Sequence, residues 1–147
     1  MKVKGVHHIG IAVRDLEESL GRWSALFAAE RGPIEEIPER GVRLAHLRFA
    51  EGPEIELVAP LGAASPVAKF LESRGEGIQH FTLEVDDIEA AMRELSRAGL
   101  SFVSDIPQIG AGGVLVAFVH PRSLNGVLME IRQGRKSGAR KASPAGD

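Results

Sequence analysis

The chain has 147 residues, 44% hydrophobic and 26% charged, with a formal net charge of -2 and no cysteine. That length and apolar content allow one domain with a sizeable shared core, the lack of thiols excludes disulfides and thiolate metal ligands, and the near-neutral charge gives no general attraction to nucleic acid. No apolar run approaches the roughly 20 residues of a membrane span and the N-terminus lacks the apolar core of a signal peptide, so a cytoplasmic protein with neither membrane nor nucleic-acid partner is expected.

The first element reads as a strand over residues 5 to 13. Alternation puts His7, Ile9, Ile11 and Val13 on one face and Val6, His8, Gly10 and Ala12 on the other. The bulky face suits packing on a helix, whereas His8 stands among small neighbours that leave room for a ligand. Asp15 reads as an N-cap with Glu18 three residues on, and Leu16, Leu20, Trp23 and Phe27 fall at helical spacing, which predicts a helix over 16 to 29. Arg31-Gly32-Pro33 breaks it, and extended segments follow at 34 to 37, 42 to 49 and 54 to 59. In the last of these Ile55 and Leu57 take one face, so Glu54 and Glu56 take the other. Ser65-Pro66 opens a connecting helix through 73, and Gly75 to Gly77 ends the linker.

The second half repeats the first. Residues 6 to 20 moved forward by 72 places lay His8 on His80, Val13 on Val85, Asp15 on Asp87 and Glu17 on Glu89. Gln79, Phe81, Leu83 and Val85 form the packing face of the repeated strand, leaving His80, Thr82 and Glu84 opposite. A helix from 88 stops at Gly99, and strands are expected near 101 to 103, 114 to 119 and 127 to 132. In the last, Val127, Met129 and Ile131 pack while Leu128 and Glu130 point away, so Glu130 repeats Glu56 at an offset of 74. The expected fold is α+β: two paired βαβββ modules, about 5 to 62 and 77 to 132, forming a curved mixed β-sheet around a metal site with helices outside. The two modules make a single domain over 1 to 133. Residues 134 to 147, with Arg135, Lys136, Arg140 and Lys141 among Gly, Ser, Ala and Pro, read as a disordered basic tail.

Two modules related by a pseudo-twofold, each offering one His from its first strand and one Glu from its last, would bring His8, Glu56, His80 and Glu130 together. Imidazoles and carboxylates in that mixture suit one divalent transition ion, with one or two positions left open for water or substrate. A lone strand His is more often a hydrogen-bonded structural residue and a lone strand Glu a solvated one. Repetition in both halves reverses that preference. Among the other histidines, His7 lies on the packing side, His46 shares the face of Leu44 and can look into the cavity, and His120 before Pro121 reads as a turn residue. Gly110-Ala111-Gly112-Gly113 reads as a hairpin loop.

His8-Ile-Gly-Ile-Ala-Val with Asp15-Leu-Glu resembles the opening of the vicinal oxygen chelate (glyoxalase/bleomycin resistance/dioxygenase) superfamily. Within it, Pro38-Glu-Arg-Gly-Val42, Glu54-Ile-Glu-Leu57, Gly75-Glu-Gly-Ile-Gln-His80, Ile109-Gly-Ala-Gly-Gly113, Phe118-Val-His-Pro121 and Gly126-Val-Leu-Met-Glu-Ile131 are similar to the methylmalonyl-CoA epimerase family. The resemblance implies interconversion of the R and S forms of methylmalonyl-CoA by metal-assisted proton transfer at C2. It also implies an acyl-CoA substrate, a homodimer, and one divalent ion (Co, Mn, Ni, Fe or Zn) on His8, Glu56, His80 and Glu130. A glyoxalase I-like lactoylglutathione lyase and a non-catalytic small-molecule binding protein of the same fold are the alternatives.

The chain departs from the family at Leu44, where some members carry a catalytic Glu, and at Gln79, where His is common. Some members have Gln at the position of Glu56. The proton-transfer groups expected here are Glu130 and Glu56, with His46 as the rival for the second role. Lys69, Arg74, Arg122 and Arg43 are the candidate cations for CoA phosphates, and their placement cannot be ranked from the sequence.

Overall fold

In the computed structural model residues 1–134 are described. The tail reading therefore lies, from residue 135 onward, outside the described residues. The duplicated strands β1 (Val3–Ala12) and β6 (Gly77–Val85) run antiparallel to each other at the centre of a nine-stranded sheet. On one side β5 (Glu54–Pro60) joins β1 in parallel and β4 (Val42–Arg48) extends it antiparallel; on the other β9 (Met129–Gln133) joins β6 in parallel and β8 (Leu115–Val119) extends it. Short strands finish both edges: β2 (Glu30–Arg31) and β3 (Glu35–Ile37) on β4, and β7 (Gln108–Ile109) on β8. Each half thus contributes a βαβββ unit to one curled mixed sheet, as the duplication predicts, with β2 and β3, both paired to β4, standing in the first half where β7 stands alone in the second.

The helices that follow the duplicated strands begin in the same way. Asp15 caps α1 (Leu16–Phe27) by accepting from the Glu18 amide at 3.0 Å, and Asp87 caps α3 (Ile88–Arg97) by accepting from the Ala90 amide at 3.0 Å. Leu16 and Leu20 then bury against Val13, Leu47 and Leu57, while Ile88, Ala91 and Met92 bury against Val119 and Ile131. Each such large apolar side chain stabilises the fold by about 1.5–3 kcal/mol. These two cores lie on the face opposite His8 and Glu56, so α1 and α3 are outside the sheet. The connecting helix α2 (Pro66–Arg74) packs Val67 and Leu71 against Ala12, Leu44 and Val58, which share the parity of His8 and Glu56. It closes one end of the concave side.

Differences from the sequence reading fall at element ends and in the short edge segments, where the strands Glu30–Arg31 and Gln108–Ile109 are not among those expected. α1 stops at Phe27 because Ala28 turns left-handed at φ 50°, and Val127, expected to pack, is 41% exposed ahead of β9. The segment near 101 to 103 makes only a single bridge, Phe102 to Val119. Among the described residues no helix is long and apolar enough to cross a membrane.

Candidate metal centre and active site

Sheet register assembles the site. His46, Glu56, Gly10 and His80 form one row across β4, β5, β1 and β6; Phe118, Glu130, Thr82 and His8 form a second across β8, β9, β6 and β1. The rows are related by the duplication, Gly10 corresponding to Thr82 and His46 to Phe118. Side chains of one parity from both rows meet on the concave face. One donor atom from each of His8, Glu56 and His80 lies within 4.8 Å of the others, and all three residues are buried.

The contacts are close. His8 Nε2 is 3.3 Å from Glu56 Oε2 and 3.4 Å from Glu130 Oε1; His80 Nε2 is 3.5 Å from Glu56 Oε1 and 3.9 Å from Glu130 Oε1. The Thr82 hydroxyl donates to Glu130 Oε1 at 2.6 Å and sits 2.9 Å from His8 Nε2. His46 Nε2 is 2.9 Å from Glu56 Oε2, with Glu54 Oε1 2.7 Å from its Nδ1.

Three observations fit a metal ion. His80 Nε2 is buried without a hydrogen-bond partner, so its lone pair faces the cluster unused. A Cβ at Gly10 would come within 2.1 Å of the His80 ring, so the absence of a side chain there is what lets the imidazole reach the centre. Burial alone would push the Glu56 and Glu130 carboxyls up, yet His46, His8 and His80 outweigh it and hold both below the ordinary value, while burial pushes His80 down. Ionised carboxylates and neutral imidazole are the states that bind a divalent cation.

His8 and His80 are each oriented from behind by their predecessor. In the β1–β6 pairing Val6 faces Leu83 and His8 faces Thr82, leaving His7 over; Gly10 faces His80 and Ile11 faces Ile78, leaving Gln79 over. Each extra residue makes a bulge, and each bulge re-aims a side chain that alternation assigns to the packing face. His7 Nδ1 reaches His8 Nδ1 at 2.8 Å, and the His80 Nδ1–H donates to Gln79 Oε1 at 2.6 Å, which leaves Nε2 free on the cluster side. This corrects the placement of His7 and Gln79 on the packing face.

Glu56 and His80 line a cavity of about 770 Å³ together with Arg40, Leu44, Phe118 and Leu128, and a narrow recess that shares Arg40 and Glu56 with it is lined by His8, His46 and Glu130. Residues 7–118 match the family of the glyoxalase/bleomycin resistance protein/dioxygenase superfamily. The chain belongs to this superfamily. Within it, the chain is 40% identical to the ethylmalonyl-CoA/methylmalonyl-CoA epimerase of Cereibacter sphaeroides over 87% of its own length and 96% of the relative's. The crystal structure of methylmalonyl-CoA epimerase from Mycobacterium tuberculosis is 32% identical, with a TM-score of 0.89 over 94% of this chain and 93% of that one. A methylmalonyl-CoA epimerase solved in complex with methylmalonyl-CoA and NH4+ is 29% identical, with a TM-score of 0.87 over 90% and 96% of the two chains.

On this superfamily scaffold Leu44 is 3% exposed in the core beneath α2 and at the cavity wall, an apolar side chain with no proton to exchange. His46, two residues along β4, bonds Glu56 directly. Arg43 is held on the outer face by Glu17 at 2.7 Å, with Glu36 3.7 Å away, so its charge is already matched; Arg74 lies over the Phe70 ring. His120 caps the turn Pro121–Ser123, accepting from the Arg122 amide at 3.2 Å. The sequence reading missed two site residues. Thr82 had a signal, since it shares the face of His80 and occupies the duplicated position of Gly10. Arg40 had none beyond its place in a short motif.

Proposed function

We propose that the chain interconverts the R and S forms of methylmalonyl-CoA by proton transfer at C2, a reading supported by its relatives, which are named methylmalonyl-CoA epimerases. The observation that carries the reading is the cluster of His8, Glu56 and His80, with Glu130 beside it, of which Glu56 and His80 open onto a cavity large enough for the acyl end of a thioester. His8, Glu56, His80 and Glu130 are the proposed ligands of a divalent ion, one of Co, Mn, Ni, Fe or Zn. Such an ion supplies Lewis-acid stabilisation of negative charge on the thioester oxygen. Residues 1 to 133 act as one domain, and the working form is a homodimer, for which sedimentation should give twice the 15.8 kDa chain mass.

Inversion needs a base on one face of C2 and an acid on the other. Glu56 and Glu130, counterparts across the pseudo-twofold, are the proposed pair. His46 donates Nε2–H to Glu56 and Nδ1–H to Glu54, and against burial the two carboxylates raise its pKa, so an imidazolium held between them keeps Glu56 ionised and ready to take a proton. With metal retained, Glu56→Gln should lower turnover by about 10²–10⁴-fold, the usual worth of a positioned acid–base group, and His46→Ala by less. If Glu56→Gln works at near the parent rate while His46→Ala loses several orders of magnitude, His46 holds the second role.

Deuterium wash-in at C2 of methylmalonyl-CoA, run beside an assay on the hemithioacetal of methylglyoxal and glutathione, tests the function. Exchange at C2 without lactoylglutathione formation is expected. Lactoylglutathione formation without C2 exchange would assign a glyoxalase I-like activity, and no turnover of either would leave a binding protein.

A further inference from the structure

We propose that Arg40 anchors the free carboxylate of the substrate, so that the site selects malonyl-type thioesters over thioesters of monocarboxylic acids. This rests on the function proposed above, and it concerns a residue outside the proposed ligands and proton-transfer groups. Arg40 ends a short 3-10 turn, Pro38–Arg40, whose chain is closed by the Gly41 amide donating to the Pro38 carbonyl at 3.0 Å. Gly41 at φ 67° caps the turn and leads into β4 at Val42, so the Arg40 backbone is fixed where module one meets the cavity. Its side chain reaches across to module two. The guanidinium carbon stands 4.8 Å from the centroid of the Phe118 ring, and Nη1 passes beneath Gly110, where a Cβ would lie 3.4 Å from it.

The charge of this guanidinium is held but not satisfied. Its nearest carboxylate oxygen, Glu130 Oε2, is 3.8 Å from Nη1, beyond hydrogen-bond reach, and the side chain is only 19% exposed. Among the described residues it makes no side-chain hydrogen bond. Arg132, the other cation at the recess, instead donates to Glu84 at 2.6 Å. Arg40 alone borders both the large cavity and the recess as a cation, beside the cluster that faces C2. A planar fork of donors packed on an aromatic face and shielded from water is the arrangement that takes a carboxylate in a bidentate pair. Phe118 and Glu130 face each other across β8 and β9, so an acid group seated on Arg40 lies next to one of the proposed proton-transfer carboxylates.

The test is calorimetric binding of malonyl-CoA and acetyl-CoA to metal-loaded parent, Arg40→Gln and Arg40→Lys, with metal content and circular dichroism measured on each. The parent should prefer malonyl-CoA, and Arg40→Gln should lower the preference by about 10–100-fold, the worth of a charge-assisted hydrogen bond, with acetyl-CoA affinity unchanged. Arg40→Lys, which keeps the charge and loses the fork, should fall between them and decides the matter if the Gln variant does not fold. No preference in the parent, a preference unchanged in the variants, or an equal loss for both ligands would overturn the proposal. Because binding requires no turnover, the anchor can stand if C2 exchange is absent and can fail if C2 exchange is present.

Discussion

At Gly10 and His80 one missing side chain decides whether the cluster forms. A methyl group at Gly10, the register partner of His80, would overlap the His80 ring where it now stands. Gly10→Ala should therefore keep its circular dichroism spectrum and lose metal, with content after dialysis well below one ion per chain; full metal content would show that the ring can shift. His7 sets a pH dependence. Burial, aided by the charge of Arg132, lowers its pKa to about 4, so the unfolded chain binds a proton in the range where the folded chain does not. Stability from this group is present above about 6.5, the ordinary histidine value, and is lost as pH falls toward 4. His80, lowered by burial, acts with the same sign. The denaturation midpoint of metal-free protein should fall between pH 7 and 4, and His7→Gln should flatten part of that slope.

Among the elements, the duplicated caps give a paired measurement. Asp15 and Asp87 make the same 3.0 Å bond at the start of helices that pack into separate cores, Leu16 in one and Ile88 in the other. Asp15→Ala and Asp87→Ala should each cost about 1 kcal/mol, and the double variant about the sum, read by denaturant titration. These helices were legible in the sequence because a cap and an apolar period are local signals. So was the parity of His8, Glu56, His80 and Glu130, since alternation along a strand needs no partner. Parity failed at His7 and Gln79, where each bulge is a property of two strands in register and neither strand alone records it. The two-residue strands Glu30–Arg31 and Gln108–Ile109 are too short to carry a period, and their pairing is dictated by the neighbours they meet. Arg40 acts only once the turn after Ile37 and the strand holding Phe118 are brought together, a contact between modules that no spacing encodes.

For the whole molecule, the consequence of the duplication is that neither half owns the centre. His8 and Glu56 come from the first module and His80 and Glu130 from the second, meeting across the antiparallel β1–β6 joint. A ligand that binds only the joined form stabilises it by mass action, about 2.7 kcal/mol at a free concentration 100 times the dissociation constant. In a chain of this size that corresponds to a rise in Tm of roughly 5–10 °C. Adding the ion to stripped protein should raise Tm by that order while unfolding stays a single transition, because separating the modules destroys the site and removing the site weakens the joint. His8→Gln and His80→Gln should abolish the rise equally, although one lies in each module. Scanning calorimetry of parent and both variants, with and without ion, is the check. A rise that survives in either variant would mean that the ion binds within one half, and a split transition would mean that the halves unfold independently.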